Sequence, residues 1–376
     1  MTQHLSSARR LVVKIGSALL ADEKKGQVRT RWLGALARDV AGLKSRGTQV
    51  VLVSSGAIAV GRGLLGIERA RLRLEEKQAA AASGQIRLAH AYQAALARHG
   101  VNVAQVLLTL SDTEERRRYL NARNTIETLL RLGAVPVINE NDTVATNEIR
   151  YGDNDRLAAR VAAMISADTL ALFSTIDGLY TADPRKDSDA RFIPEVRALT
   201  PEILAMAGDA PPGYSSGGMV TKLEAARVAM GAGCRMVVAD GRKAHALRDL
   251  DKAPRKTWFV PEGTPRASRK HWIAASLKPA GTLTVDDGAL KALREGRSLL
   301  PAGVTKVDGR FDRGDAVIVR DAAGREVARG LVAYADADAR RLAGHKSREI
   351  QEVLGYRGRD EMIHRDDLAV LDGNDR

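Results

Sequence analysis

Apolar, often β-branched runs alternate with long stretches of helical periodicity over most of the chain. RLVVKIG, TQVVLVSSG, VNVAQVLLT, AVPVINEN, TLALFST and CRMVVAD read as strands. Helical patterns lie between them: Leu74 to Arg98, closed by Gly100; Tyr119 to Leu132, closed by Gly133; and Asp155 to Ile165. Strands that are apolar on both faces and separated by helices predict an α/β fold, a mainly parallel sheet sandwiched by helices. In such folds ligands collect beyond the carboxyl ends of the strands, so the strand ends are where chemistry is to be sought.

From about Gly281 the texture changes. Short alternating segments with turn signals, GTLTVDDG and GVTKVDGRFDRGDAVIVRDAAGREVARGLVAY, predict a small β-rich module with helical pieces around Ala289 to Glu295 and Ser347 to Leu354. At 376 residues the chain exceeds the usual single-domain size. The expected division is a larger domain over residues 1–270 and a smaller one over 281–360.

The formal charge is +13, and its location matters more than its size. Residues 1–270 hold 41 Lys/Arg against 28 Asp/Glu, which accounts for all of it, whereas residues 271–376 hold 18 of each. Residues 242–270 carry nine basic and three acidic side chains. That stretch reads as a solvated surface segment or linker in preference to a polyanion-binding stripe. No apolar run approaches the roughly 18 residues of a membrane span. At the N-terminus two arginines precede a short apolar run that ends at Lys14, which is not a secretory pattern, so a cytoplasmic protein is expected. Cys234 is the only cysteine, with no histidine near it, and reads as a small buried apolar residue. The seven histidines form no HExxH and no Cys/His cluster, so no protein-held transition metal is expected.

Four strand or helix termini carry candidate chemistry. Lys14 sits in an apolar strand and is followed by Ile-Gly-Ser, which aims an ammonium and free backbone N–H groups at one point; a lysine at a strand edge accounts for it equally well. The Walker A pattern is absent. Ser54-Ser55-Gly56-Ala57 sets two hydroxyls and a glycine where a strand turns to a helix, and it is not the GxSxG of a hydrolase elbow. Gly61, Gly63 and Gly66 spell GxGxxG, but they follow the strand by about eight residues, where a dinucleotide fingerprint needs them in the turn itself.

The stretch VINENDTVATNEIRYGDNDRLAARVAA packs five carboxylates, Glu140, Asp142, Glu148, Asp153 and Asp155, and four Asn side chains at the mouth of a strand. Finally, Ser215-Ser216-Gly217-Gly218 precedes a helix with Lys222 in its first turn. Unhindered N–H groups, the helix dipole and an ammonium together make a phosphate cradle; a flexible loop before an ordinary helix is the alternative.

This constellation resembles the amino acid kinase family, and within it the branch that phosphorylates glutamate. The likeness runs through LVVKIGSALL, VVLVSSGAIAVGRGLLG, QVLLT, YLNARNTIETLL, PVINENDTVAT, YGDNDRLAARVA, DGLYTADPR and GGMVTKLEAA. SLLPAGV, FDRGDAV and GLVAY look like the PUA module carried by many bacterial members. INEND followed by GDND marks the glutamate branch, whereas K-x-G-S marks only the wider family.

The resemblance implies ATP and Mg2+ as cofactors and L-glutamate as substrate, in the first step of proline biosynthesis. It implies that Ser55, Asp142 and Asn154 bind glutamate, with Asn139 and Asp153 beside them. Lys14 and Lys222 are implied to neutralise charge on the moving phosphoryl group, with Asp155 holding both lysines. Nucleotide contacts are implied at Lys14, Gly16, Ser174, Thr175, Ser216, Gly217, Gly218, Met219, Val220, Thr221 and Lys222.

The residue types fit that substrate. An amino acid brings an ammonium, which needs acids, and two carboxylates, which need amide or hydroxyl donors. A two-metal site built from the same carboxylates would need no lysines nearby. The family usually reads Thr-Asp where this chain has Ser174-Thr175, which bears on nucleotide contacts and not on the phosphoryl-transfer residues. Further implied partners are the γ-glutamyl phosphate reductase (glutamate-5-semialdehyde dehydrogenase), proline as feedback inhibitor, and other copies of the chain in a homo-oligomer. Two other readings remain open. One is a sibling carboxylate or carbamate kinase; the other is an RNA-binding protein working through the PUA-like tail, which the tail's zero net charge disfavours.

Overall fold

The computed structural model of the protein describes residues 4–22, 25–67, 72–145, 154–207, 218–275 and 279–371. The chain divides into two compact units, Met1–Pro265 and Arg266–Arg376.

The first unit is built on a sheet of eight strands: β1 (Arg10–Ile15), β2 (Gln49–Val53), β3 (Val103–Leu108), β4 (Val135–Glu140), β5 (Thr169–Ser174), β6 (Glu195–Val196), β7 (Arg235–Asp240) and β8 (Thr257–Phe259), in the order β6-β8-β7-β5-β1-β2-β4-β3. Neighbours run parallel throughout except β7 with β8. The six apolar runs legible in the sequence are the six long strands. Burial on both faces makes five of them nearly continuously apolar, whereas β3, at the sheet edge, exposes Gln105.

Side-chain alternation along β1 divides the core in two. Leu11, Val13 and Ile15 point into a cluster with α1 (Thr30–Ser45), α2 (Ala57–Leu64) and α3 (Leu74–Ala97). Val12 points the other way, toward α4 (Arg116–Arg131), α5 (Asn154–Met164) and α6 (Met219–Gly231). Lys14, two residues on from Val12, therefore faces α5 and α6. Each fully buried Val or Leu contributes about 1.5–3 kcal/mol, and this apolar frame holds the lysine in place.

The GxGxxG spacing has a packing cause. A Cβ on Gly61 would stand 1.7 Å from the Ala80 carbonyl oxygen, and one on Gly84 would stand 1.8 Å from that of Ala57. Likewise a Cβ on Gly63 would meet Gly26 Cα at 2.5 Å. Gly61 and Gly84 thus let α2 lie backbone to backbone on α3, Gly63 lets it pass the turn at Gly26, and Gly66 has a positive φ of 62°, so no dinucleotide is needed to explain them.

The basic stretch 242–270 is not a linker. Its basic side chains Arg242, Lys243, Lys252 and Arg255 are exposed, as expected of a solvated segment, but its backbone enters the fold. Leu247 and Leu250 are buried, and Thr257, Trp258 and Phe259 form β8 against β7. Asp39 also draws the segment in, accepting from the Arg248 N–H at 3.2 Å and meeting His245 Nδ1 at 2.6 Å. Counting charges hid a three-residue buried strand because the lysines and arginines around it outnumber it.

The second unit carries a five-stranded sheet of β9 (Gly281–Val285), β10 (Val304–Gly309), β11 (Ala316–Arg320), β12 (Glu326–Leu331) and β13 (Leu368–Val370), in the order β10-β9-β11-β12-β13. Only β9 and β11 pair in parallel. Leu283, Val285, Val317, Val319 and Ile363 are among its core residues. Helices at Asp287–Arg294 and Ile350–Leu354 match the sequence pattern. A third, Asp336–Leu342, is not anticipated, because seven residues, Ala, Asp and Arg but for the final Leu342, are too short to display a period. Among the described residues no helix is long and apolar enough to cross a membrane.

Candidate active site

Three charged side chains from three elements meet at the carboxyl end of β1. Lys14 Nζ lies 2.5 Å from Asp155 Oδ1, and Lys222 Nζ donates to Asp155 Oδ2 at 2.9 Å. Their exposures are 6%, 1% and 2% for Lys14, Asp155 and Lys222, so the contact is made away from water.

Local structure brings them together. Lys14 is in register with Val53 of β2 and Leu172 of β5, at the middle of the sheet. Asp155 and Lys222 stand in the first turns of α5 and α6. Those helices approach through small residues, Ala158, Ala159 and Ala162 on one and Ala225, Ala226 and Ala229 on the other, all buried. Arg156 on α5 and Glu224 on α6 add a second tie between them.

Burial pushes the Asp155 pKa up, but the Lys14 and Lys222 ammoniums outweigh it and hold the carboxyl well below the usual carboxylate range. Asp155 is therefore an anion at neutral pH. Each ammonium has three donors, so a bond to Asp155 leaves it able to serve further acceptors. Two helix N-termini add partial positive charge at the same place, and the N-cap residue of α6, Gly218, offers no side-chain cap. Anions are favoured here.

Beside this cluster is an amide network. Asn154 Nδ2 lies 2.8 Å from the Ser54 carbonyl oxygen, 2.8 Å from Ser55 Oγ and 3.0 Å from Asn139 Oδ1. Asn139 Oδ1 also accepts from the Glu140 N–H at 2.9 Å. Asp142 follows in the turn after β4 and is half-buried. Buried Tyr92 donates to Ser54 Oγ at 3.1 Å and braces the β2 end from the opposite face. Ser55, Asn139, Asn154 and Asp155 are thus brought together, the grouping that the family resemblance implies.

Other candidates have mixed outcomes. Gly16 closes β1, but its N–H donates to the Phe173 carbonyl oxygen at 3.1 Å, so the amide expected to be free is used within the sheet. Ser174 is half-buried and its carbonyl oxygen accepts from the Gly241 N–H at 2.8 Å. Thr175 is exposed and lines a cavity of about 850 Å³ with Trp32 and Arg242. That cavity does not include Lys14, Asp155 or Lys222 in its lining. Gly218 is exposed, Met219, Val220 and Thr221 are half-buried in the first turn of α6, and Thr221 Oγ1 donates to the Gly218 carbonyl oxygen at 2.9 Å. Asp153, Ser216 and Gly217 lie outside the described residues. Cys234 is buried, which pushes its thiol pKa up and makes it inert, in line with its reading as a small core residue.

Two glutamines on α3 escape sequence reasoning. Gln85 Oε1 accepts from Asn139 Nδ2 at 3.1 Å, and Gln78 Nε2 donates to the Ala145 carbonyl oxygen at 3.3 Å. Seven residues apart, they share one face of the helix and hold both ends of the turn after β4. Only that seven-residue spacing in an Ala-rich helix hinted at them.

Comparison with known proteins fits this geometry. The amino acid kinase family model matches residues 9–240, and the PUA domain model matches residues 281–354. The chain is similar to the glutamate 5-kinase of Paramagnetospirillum magneticum, 65% identical over 366 residues, with 97% of this chain and 99% of that protein covered. It is also similar to the glutamate 5-kinase of Rhodospirillum rubrum, at 62% identity with 97% of each chain covered. A third relative, the glutamate 5-kinase of Brucella abortus, is 58% identical, with 100% of this chain and 99% of that protein covered.

Proposed function

The chain belongs to the amino acid kinase family, and we propose that it is a glutamate 5-kinase, which transfers the γ-phosphoryl group of ATP to the γ-carboxylate of L-glutamate. A γ-carboxylate oxygen forms the new bond to phosphorus, the bond from phosphorus to the bridging oxygen of ADP breaks, and γ-glutamyl phosphate and ADP leave. The acceptor has a reference pKa of about 4.3 and is already ionised, so no general base is required. What remains is to bring two anions together and neutralise the charge on the group in flight.

The observation that carries this reading is the meeting of Lys14 and Lys222 on the single carboxylate of Asp155. Lys14 and Lys222 serve the phosphoryl oxygens, and Asp155 positions both. The N–H groups at the start of α6, with Ser216, Gly217, Gly218, Met219, Val220 and Thr221, cradle the ATP phosphates, while Gly16, Ser174 and Thr175 border the nucleotide. Two buried ammoniums suit a triphosphate, and Mg2+ supplies further neutralisation on its oxygens. Ser55, Asn139 and Asn154 orient glutamate, and Asp142 and Asp153 take its ammonium.

Free γ-glutamyl phosphate cyclises through its own α-amine. That favours prompt transfer to the γ-glutamyl phosphate reductase in the cytoplasm, with proline as the feedback signal and a homo-oligomer as the working form.

The test is ATP consumption with L-glutamate, L-aspartate, N-acetyl-L-glutamate and carbamate side by side, with the acyl phosphate trapped by hydroxylamine. Glutamate-dependent hydroxamate is expected. Turnover of N-acetyl-L-glutamate equal to or better than that of glutamate would refute the assignment, because a blocked amine does not suit an acid-lined pocket.

A further inference from the structure

The amide network has a fixed polarity. The Glu140 N–H can only donate, so the Asn139 atom 2.9 Å from it is Oδ1; the Ser54 carbonyl oxygen can only accept, so the Asn154 atom 2.8 Å from it is Nδ2. Asn139 therefore turns its NH2 toward α3, where Gln85 must answer with Oε1 at 3.1 Å. That leaves Gln85 Nε2 buried as a donor with no hydrogen-bond partner among the described residues. At the other end of the Asn139 bridge, Asn154 Oδ1 is likewise a buried acceptor with no partner.

A buried amide donor left unpaired is costly, and its usual explanation is a partner that arrives later. The α-carbon of an amino acid carries an anion and a cation side by side, which matches one lone donor and one lone acceptor. In the hydrogen-bond chain that starts next to Asp155, Gln85 follows Asn154 and Asn139, an order that suits the end of glutamate remote from the reacting γ-carboxylate. Resting on the glutamate kinase reading, we propose that Gln85 Nε2 binds the substrate's α-carboxylate and that Gln85 is a specificity residue for an unmodified amino acid terminus.

Gln85→Glu separates this role from a merely structural one. Glutamate at this position keeps an oxygen for Asn139 Nδ2, so a bracing role survives, but it replaces the donor with an anion facing the substrate carboxylate. The full chain and its variants are assayed for hydroxamate formation with L-glutamate and with L-glutamate α-amide, whose neutral terminus can donate to a carboxylate.

The expected result is a rise of about 10- to 100-fold in KM for L-glutamate, the scale of one charge-assisted hydrogen bond. KM for ATP and the melting midpoint stay unchanged, and preference shifts toward the α-amide. Gln85→Met is the second variant; it is expected to raise KM for L-glutamate about tenfold with KM for ATP retained. An unchanged KM for L-glutamate in either folded variant overturns the proposal, as does an equal loss on both substrates in Gln85→Glu. A wild-type protein that makes no hydroxamate from L-glutamate would instead remove the kinase reading beneath it.

Discussion

The two units differ in how their buried ion pairs are built. In the second, most pairs join near neighbours, such as Arg297 with Glu295 at 3.0 Å, Lys306 with Asp308 at 3.0 Å and Arg329 with Glu326 at 2.6 Å, and the buried long-range pair, Arg269 with Asp367 at 2.5 Å, sets one cation on one carboxylate. In the first, Lys14, Asp155 and Lys222 come from far apart in the chain and meet in the core. Near-neighbour pairs keep most of their hydration, bring little ordering cost and contribute little stability. The buried cluster is different, since taking three charges out of water costs more than apolar side chains of the same volume would. On the proposed function, the core keeps such a cluster for the phosphoryl oxygens it receives. Two ammoniums on one buried carboxylate, and not the total charge, distinguish the first unit from the second.

The strongest way to break the contrast is Asp155→Asn. It strands two buried ammoniums and should cost about 3–5 kcal/mol in chemical denaturation. The sign with pH follows from the lowered pKa of Asp155. Its stabilisation is complete above the ordinary value of 3.8 and drains away as pH falls below it, so the variant should lose stability at neutral pH and show a flatter acid limb. A wild-type acid limb in the variant would count against the cluster.

Next in size, Lys14→Ala or Lys222→Ala should lower kcat by about 10²- to 10³-fold in initial-rate assays. Asp142→Ala should act mainly through KM for glutamate. Near-normal kcat in Lys222→Ala would remove the phosphate-cradle role of α6.

Gly84→Ala probes the frame under the site. Its methyl would meet the Ala57 carbonyl oxygen at 1.8 Å, so α2 must move and take the Ser54-Ser55 turn with it. A loss of about 1–3 kcal/mol in denaturation, together with a raised KM for glutamate, is expected.

The smallest effect belongs to the second unit. Arg329→Ala should leave the melting midpoint and kinase rate unchanged within error, which sharpens the contrast with Lys222. In the same spirit, RNA binding by the full chain with a steep salt slope would overturn the reading of its surface as neutralised.

Much of the site was legible because the relevant residues lie in short motifs. Ser55, Asn139, Asn154 and Asp155 stand at strand or helix ends whose positions follow from hydrophobic period, and the structure gathers them. Gln85 was not legible, since a lone glutamine in an Ala-rich helix looks like any solvated residue until Asn139 is placed against it. Gly61 was readable as a glycine but not as a helix crossing, and Gly63 not as a close approach to a turn, because the Ala80 and Gly26 backbones that need them are remote in sequence. The strand Thr257–Phe259 was masked by the lysines and arginines flanking it.

The sequence by itself determined the six long strands, the helices near Leu74–Arg98, Tyr119–Leu132 and Asp155–Ile165 and where they stop, and that Lys14 shares a face with Val12. Period decides these, and period is local. Only the tertiary structure decided that the face carrying Lys14 is covered by α5 and α6, that their first turns deliver Asp155 and Lys222 to within hydrogen-bonding distance, and that Gln85 answers Asn139. Those outcomes depend on strand order and on which small side chains let two helices approach. Both are settled by packing between segments more than a hundred residues apart in some cases, as with β1 and β5. A one-dimensional pattern identifies the face of an element, but the identity of the element that covers it is a property of the packed whole.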